Sequence, residues 1–522
     1  MIGNIRSITD IKWIALVIAI GFFSISGCNN SDPAFQELTF RLAPNERAPL
    51  AGILELTTLV PTRIVLDVSD GDDNWQIVFE EFNTDHSLAV LGFRPGEKHT
   101  VLVSALDEDG GIVNEDLIEV ETDPLPEDFP DFSVTSDVQT MEPGVTLFEA
   151  GGFLIIVDEP GEVVWYYRIP SPQSFDRDVR RMANGNLLLL LPTSRILEID
   201  MLGNTVRSWY PARSVAGDEG SIPVDAAAFH HEIFEMESGN FLVLSLELRT
   251  FDDYPSSVTD PLAPVERAEV VGDVIVEFAP DGTLVNEWPV LDILDPFRLS
   301  YSSLLGIWDG FFQNTQGVTG PTRDWSHGNG VIHDTRDDSL IVSLRHQDAV
   351  IKFSRQTGEL IWILGTHDNW DPVVFGDFLL TPLSGDEFFF QYHQHAPMIT
   401  ESGNIILFDN GNNRASPFDP IIPGNIFSRA VEYSIDEFSK EVDLVWESTG
   451  FSEEVLFAGF LGDADSLPET GNVLITFGGN QPARIVEVTR DTPPEQVFEI
   501  LVPNVEANAF VYRAERLPSL YP

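Results

Sequence analysis

The length, charge and cysteine content of the chain exclude several classes of protein. Its 522 residues include 84 Asp and Glu against 29 Lys and Arg, a formal net charge of −55 at pH 7. A surface this acidic repels phosphate backbones and anionic lipid head groups, so we expect no nucleic-acid partner. The single cysteine allows no internal disulfide, but a chain with 43% hydrophobic residues can bury a large core.

The N-terminus has the pattern of a secretory signal. Arg6 and Lys12 precede a largely apolar run over residues 13–25, which is too short to span a bilayer. We therefore predict that residues 1–27 are a signal peptide and take no part in the fold.

The apolar run ends in the letters ISGC, which resemble a bacterial lipobox. The resemblance implies that Cys28 is diacylated and becomes the new N-terminus, with residues 28–37 as a tether. Several acyl chains would hold the protein firmly at a membrane surface. Because Asn29 and not aspartate follows, lipoprotein sorting rules imply the outer membrane of a Gram-negative cell, facing the periplasm or the cell surface. An unmodified thiol behind an ordinary signal is the alternative.

Residues 38–123 contain seven short runs that alternate apolar and polar residues between Gly, Asp and Pro. This period of two with turn residues predicts a small antiparallel β-sandwich. The stretch LGFRPGEKHTVLVSALDEDGG resembles a strand pair of fibronectin type III domains. Residues 124–139 are rich in proline and acidic residues, which predicts a linker without regular structure.

Residues 140–522 repeat a simple unit. A Gly-Asn turn or its equivalent precedes an apolar strand in MANGNLLLLL, MESGNFLVLS, TRDDSLIVSL, TESGNIILFD and PETGNVLITF. Aromatic residues end six further strands, at Trp165, Trp209, Trp288, Trp362, Trp446 and Phe498. Six such endings, each in a meander of about four strands, predict a six-bladed β-propeller. Because the first blade lacks an innermost strand upstream, we predict that the C-terminal YRAERLPS completes it and closes the ring.

Three histidines occupy matching positions in consecutive repeats. Counting back eight residues from the turn glycine gives His231 and His395, and His327 lies eleven residues ahead of Asp338 because that turn is longer. Innermost strands of a propeller line its central channel, so we expect the three imidazoles to face one another. Arg345, where the innermost strand ends or the next begins, is expected to add positive charge beside them.

The segments that carry these residues resemble the bacterial arylsulfate sulfotransferase family. They are the HHE strand, DWSHGNGVIHDTRDDSLIVSLRHQDAVIKFSRQTGELIWILG, QHAPMITESGNIILFDNGNNR and the C-terminal YRAERLPSLY. The family is a six-bladed propeller behind a small N-terminal β domain, and the likeness covers nearly the whole chain after the signal. Its best-known secreted members depend on a disulfide, which this chain cannot form.

The resemblance implies transfer of a sulfuryl group from a phenolic sulfate ester to a phenol acceptor, without a nucleotide donor and without a cofactor. By the same resemblance His395 is the nucleophile and is transiently sulfated, while His231, His327 and Arg345 bind the sulfuryl oxygens. His230 remains an alternative to His231. Aromatic candidates for the walls against the substrate rings are Trp325, Phe408, Tyr301 and Trp308.

Two other functions stay open on the sequence alone. Three inward histidines match the ligand number of a catalytic zinc site in a hydrolase, although Arg345 would place a positive charge beside the ion. The propeller fold also hosts non-catalytic scaffolds, so a lipoprotein that binds ligands or partners is the second alternative. The oligomeric state is open as well, with a homodimer as one option.

Overall fold

A computed structural model of the chain describes the backbone of residues 3–6 and residues 35–170, 178–191, 193, 195–383, 388–422, 424, 426–480, 482–503 and 510–522. Cys28, the tether up to residue 34 and most of the predicted signal peptide lie outside the described residues. Within the described part, no helix has both the length and the apolar character needed to cross a membrane.

The N-terminal domain is a single connected sheet. Its strands in the described residues are β1 Gly3–Arg6, β2 Glu37–Leu42, β3 Gly52–Ser69, β4 Asn74–Val90, β5 Lys98–Leu106 and β6 Ile112–Glu121. The order is β1-β4-β3-β5-β6, and β2 also pairs with β3. β1 lies inside the predicted signal peptide. Four of the predicted short strands merge into β3 and β4, because register shifts around Thr62 let β3 bend past Pro61 without ending.

The rest of the described chain consists of a strand β7, Ser133–Ser136, and six mainly antiparallel sheets. The first sheet has β8 Val145–Ala150, β9 Phe153–Val157 and β10 Val163–Arg168. The second has β11 Val179–Arg181, β12 Leu187–Leu191, β13 Arg195–Ile199, β14 Thr205–Pro211 and β15 Ile222–Val224. The third has β16 His230–Glu235, β17 Phe241–Tyr254, β18 Glu266–Phe278, β19 Leu284–Pro289 and β20 Thr322–Asp324. The fourth sheet has β21 Gly328–Asp334, β22 Ser339–Leu344, β23 Ala349–Ser354 and β24 Leu360–Gly365. The fifth has β25 Thr381–Pro382, β26 His395–Ile399, β27 Ile405–Asp409, β28 Arg429–Asp436 and β29 Glu441–Glu447. The sixth has β30 Asp463–Ser466, β31 Val473–Phe477, β32 Ala483–Val488 and β33 Gln496–Val502. The helices α1, Val290–Ile293, and α2, Asp309–Gln316, lie in a connection, a 3-10 helix covers Arg345–Gln347, and the last strand is β34, Ala514–Leu517. The all-β prediction is confirmed.

The two ends of this domain cross over to each other's sheets. β34 pairs with β8 in the first sheet, and β7 pairs with β33 in the sixth. Residues 133–136 therefore form a strand inside the segment for which we predicted no regular structure, because the edge of β33 offers them backbone partners. The leading strands β16, β21, β26 and β30 contact one another in succession. Equivalent positions on these strands are thereby brought close together.

The repeated Gly-Asn turns have a structural reason. In four sheets the turn asparagine donates its Nδ2 hydrogen to a buried glutamate on the third strand, over 2.6 to 2.8 Å. The pairs are Asn186 with Glu198, Asn240 with Glu277, Asn404 with Glu432 and Asn472 with Glu487. Each of these carboxylates also contacts an arginine, which satisfies the buried charge. Three of these arginines come from a neighbouring sheet or the C-terminal strand, so the repeat links the sheets to one another.

The N-terminal domain packs on the first two sheets through a shared apolar core. Tyr521, close to the C-terminus, fixes this contact: its hydroxyl oxygen accepts a hydrogen bond from the Leu91 amide at 2.8 Å and lies 3.1 Å from the Ala89 carbonyl, to which it donates. The small domain is thus tied to the same C-terminal segment that completes the first sheet.

Candidate active site

A bulge near the start of three successive leading strands sets the position of each predicted histidine. The pairing register shifts between His230 and Ile233 in β16, between Gly328 and Gly330 in β21, and after His395 in β26. Such bulges turn a side chain away from the regular strand direction and are frequent beside active sites. The backbone is left-handed at His231, φ 59°, His327, φ 46°, and Ala396, φ 51°, which residues with a side chain rarely adopt.

The structure brings these histidines together with Arg345. The rings of His231 and His327 lie 4.9 Å apart at an interplanar angle of 75°. Burial is the main cause that lowers the pKa of His395 well below 6.5, followed by the positive charge of Arg345 and then that of His327. Burial also lowers the pKa of His231, with His327, His230 and His395 as further causes. Each ring therefore responds to the charge of its neighbours.

His231, not His230, is the member of its pair that faces the other site residues. The Nδ1 atoms of the two rings lie 2.9 Å apart, and His230 Nε2 lies 3.2 Å from the Ser245 carbonyl oxygen, which only accepts. His230 Nε2 therefore carries a hydrogen, so its Nδ1 accepts from His231 Nδ1. This leaves Nε2 of a neutral His231 with a free lone pair. Burial lowers the pKa of His230 to about 3, so this inner ring stays neutral.

His395 is held by an asparagine that sequence reasoning missed. Its Nδ1 lies 2.6 Å from Asn410 Oδ1, and Asn410 Nδ2 donates to the carbonyl oxygens of Ala458 and Leu461 at 2.7 and 2.8 Å. Two carbonyl acceptors fix which end of the amide is nitrogen, so Oδ1 accepts from His395 Nδ1–H. The Nε2 atom of neutral His395 then carries the free lone pair.

His327 has an acidic partner. Its Nδ1 lies 2.5 Å from Asp324 Oδ2, at the end of β20, while Asp324 itself is buried. A carboxylate accepts the hydrogen of Nδ1, which fixes the tautomer of the neutral ring and leaves a lone pair on Nε2. The adjacent Gly328 has no room for a side chain, since a Cβ would lie 2.9 Å from the carboxylate carbon of Asp273.

Arg345 is held by neutral groups. Its Nη1 donates to His346 Nε2 at 2.8 Å and its Nη2 to the Gly459 carbonyl at 2.9 Å. His346 Nδ1 lies 2.6 Å from the Asp324 carbonyl oxygen, so that nitrogen carries the hydrogen and Nε2 is free to accept. Burial lowers the pKa of Arg345 to about 10, which leaves it protonated near pH 7. No carboxylate in the described residues forms an ion pair with it, so its charge is available to an anion.

Of the four aromatic candidates, Trp308 packs against the histidine rings of the site. Its ring centre is 5.1 Å from that of His230 and 6.4 Å from those of His231 and His327. Trp325 and Phe408 are fully buried core residues, because each packs inside an apolar cluster. The Tyr301 hydroxyl donates to the Asp419 carbonyl in a surface loop.

The arrangement does not favour zinc among the three predicted histidines. Two groups in the described chain have ligand atoms close enough for a metal ion, namely Asp324, His327 and His346, and Asp334, Asp337 and Glu437. In the first group both imidazole Nδ1 atoms already lie against Asp324. In the second, the Lys352 ammonium lies 2.6 to 2.8 Å from all three carboxylates and neutralises them. Neither group contains His231 or His395.

The model of the family Arylsulfotransferase (ASST) matches residues 132–513, which is more than half of the chain. The chain therefore belongs to the arylsulfotransferase family. The matched region includes all four predicted site residues and Asn410.

Two curated relatives are named arylsulfate sulfotransferase AssT. The one from Escherichia coli O6:H1 is 28% identical over 355 residues, covering 58% of this chain and 54% of the relative. The one from Lelliottia amnigena is 27% identical over 351 residues with the same coverage. The chain thus spans about half the length of the curated relatives it matches. Among solved structures, a putative 6-phosphogluconolactonase from Bacteroides fragilis covers 88% of this chain and is itself covered to 99%, at 8% identity. The TM-score of this match is 0.34.

The buried histidines predict a specific titration. Burial and neighbouring positive charge lower the pKa values of His231, His346 and His395, so all three should stay neutral at pH 6.5 and gain a proton only at lower pH. Nitrogen-15 NMR of protein labelled at histidine, with signals assigned by single substitutions, measures this. A His395 signal that is half protonated at or above pH 6.5 would contradict the buried, cation-flanked site.

Proposed function

We propose that the protein is a nucleotide-independent aryl-sulfate sulfotransferase that moves a sulfuryl group from a phenolic sulfate ester to a phenol through a sulfated His395. The observation that carries the proposal is the unprotonated Nε2 of His395 in the field of Arg345, a cation without a carboxylate partner in the described chain. Membership of the arylsulfotransferase family and the names of the two relatives support the same reaction class.

We further infer that the six sheets are the blades of one closed six-bladed propeller. The succession of contacts between β16, β21, β26 and β30 supports a ring of leading strands around a common axis. The pairing of β34 with β8 and of β7 with β33 supports closure by exchange of strands between the first and last sheets. In such a ring the three bulges open toward one channel, where a substrate would be enclosed.

The first half of the reaction uses the lone pair of His395. Nε2 attacks sulfur and forms an N–S bond, while the S–O bond to the aryl group breaks and its electron pair leaves on the phenol oxygen. The guanidinium of Arg345 keeps unused N–H groups on both terminal nitrogens, which suits two oxygens of the sulfuryl group. This local positive charge also answers how an anionic ester could approach a chain of net charge −55.

His327 is suited to carry the proton between the two phenols. With Asp324 at its Nδ1, its other nitrogen can give a proton to the departing phenol oxygen and later take one from the acceptor. In the second half the acceptor oxygen attacks sulfur, the N–S pair returns to His395 Nε2, and the free enzyme is restored. We predicted from the resemblance that His231 binds a sulfuryl oxygen; its neutral form offers only a lone pair at Nε2, and its lowered pKa opposes the proton that such a contact needs.

The proposal predicts phenol-dependent release of nitrophenol from 4-nitrophenyl sulfate. His395→Ala should lose at least roughly a thousandfold in rate, as is usual when a nucleophile is removed. Arg345→Lys keeps the charge but loses the planar fork, so it should lose roughly tenfold or more. His333→Gln is the matched control, since His333 lies on β21 and its Nε2 lies 2.9 Å from the carboxylate of Asp338, outside the site. A His395→Ala enzyme as active as the control would refute the assigned nucleophile. A rate of nitrophenol release that does not change when phenol is added would refute sulfuryl transfer to phenol.

We also propose that Cys28 is lipidated, as the ISGC pattern indicates, and anchors the protein to the outer membrane, facing the periplasm or the cell surface, as Asn29 indicates. A Cys28→Ser variant should leave the membrane fraction, because two or more acyl chains provide the attachment. Labelling with radioactive palmitate followed by fractionation tests this, with Ser26→Ala as a control for signal cleavage. A Cys28→Ser protein that stays on the membrane would contradict the anchor.

A further inference from the structure

Two site histidines differ in the chemistry of the residue behind Nδ1. His327 lies 2.5 Å from the carboxylate of Asp324, whereas His395 lies 2.6 Å from the amide oxygen of Asn410. A carboxylate can take the Nδ1 proton from a ring that bears a sulfuryl group on Nε2 and a positive charge, but an amide oxygen can only share it in a hydrogen bond. The Nδ1 proton of a positively charged ring would therefore behave differently at His327 and at His395.

Asn410 has no freedom to change its role. It is fully buried directly after strand β27, and it donates both hydrogens of its Nδ2 to the carbonyl oxygens of Ala458 and Leu461. Rotation of the amide would turn Oδ1 toward two carbonyl oxygens and Nδ2 toward His395, losing three hydrogen bonds. The segment that supplies these carbonyls also supplies Gly459, whose carbonyl holds Arg345. One loop thus fixes both the nucleophile's partner and the cation.

We propose that Asn410 is a positioning residue that keeps the sulfated His395 ring in its reactive, Nδ1-protonated form. This inference rests on the proposed sulfotransferase function. When Nε2 forms the N–S bond, Nδ1 keeps its hydrogen, so the ring becomes a cation that carries the sulfuryl group. The amide cannot remove that hydrogen, and the cationic ring remains a good leaving group.

The return step shows why this matters. When the acceptor oxygen attacks sulfur, the N–S electron pair goes back to Nε2, and a cationic ring leaves as neutral imidazole. Had a carboxylate taken the Nδ1 proton, the departing ring would be an imidazolide anion unless the proton returned first, and such an anion is a poor leaving group. A neutral partner therefore favours turnover of the intermediate over its storage.

The test compares Asn410→Asp and Asn410→Ala with the wild type in separate half-reactions. The full-length enzyme is mixed with 4-nitrophenyl sulfate, the nitrophenol burst is followed, and the sulfated enzyme is then chased with phenol. Asn410→Asp should still give a burst, but transfer to phenol should slow roughly tenfold or more, on the scale of one hydrogen bond to a reacting group. Asn410→Ala should slow the burst instead, because the ring is free to adopt the wrong tautomer.

Asn45→Asp is the matched control, since the Asn45 amide also donates to a backbone carbonyl but lies where the N-terminal domain meets the second sheet. It should match the wild type in both steps. A second readout is the pH dependence of the burst, whose acid limb should move to higher pH in Asn410→Asp, because a carboxylate favours the protonated ring. Unfolding alone would not move that limb.

The outcomes separate this inference from the proposed function. If both Asn410 variants slow the two half-reactions equally and leave the pH limb in place, Asn410 is merely structural and the inference is wrong. If the wild type itself shows neither a burst nor transfer to phenol, the proposed function is wrong, and the inference that rests on it is wrong as well. The inference is supported if Asn410→Asp mainly slows the transfer to phenol while Asn410→Ala mainly slows the burst.

Discussion

The site depends on a cation that is held without being neutralised. Arg345 is fixed by an imidazole lone pair of His346 and by the Gly459 carbonyl, both uncharged acceptors. A carboxylate in either place would cancel its charge, and in a chain this acidic a carboxylate is the commonest polar neighbour available. Because the charge survives, it adds to burial in lowering the pKa of His395 and leaves an attractive position for an anion. The chain belongs to the arylsulfotransferase family, and two of its relatives are named arylsulfate sulfotransferase.

The backbone geometry of the strands brings residues that are distant in sequence together around this cation. Three of the four leading strands, β16, β21 and β26, have one site histidine at or directly before a bulge, and the succession of strands places the bulges beside one another. Buried Asn and Glu pairs recur in four sheets, and in three of them the arginine on the glutamate comes from a neighbouring sheet or the C-terminal strand and links the sheets. The polar repeat visible in the sequence is therefore structural, whereas the histidines that depart from it carry the candidate chemistry.

Much of this was predictable because it repeats. The Gly-Asn turns located the strands, and counting back eight residues, or eleven at the longer turn, predicted that His231, His395 and His327 would face one another, with Arg345 beside them. The same counting would have found Asn410: it lies seven residues after Gly403, as Arg345 lies seven after Asp338.

Other site residues could not be found in this way. Asp324 comes from β20, a strand added in parallel to β18 of the preceding sheet, and only that pairing places it at His327. His346 is identified only by its contacts with Arg345 and Asp324, since its sequence position resembles that of an ordinary turn residue. The strand β7 was missed because its partner β33 lies more than three hundred residues further along the chain.

The central claim is that His395 itself carries the sulfuryl group between the two phenols. Peptide mass spectrometry after exposure to 4-nitrophenyl sulfate, with digestion at alkaline pH to protect an N–S bond, tests it most directly. The account predicts an added mass of about 80 Da, that of one sulfuryl group, on the peptide that contains His395, and loss of this mass on addition of phenol. A donor-treated enzyme that transfers sulfate to phenol while carrying no added mass on that peptide would contradict it.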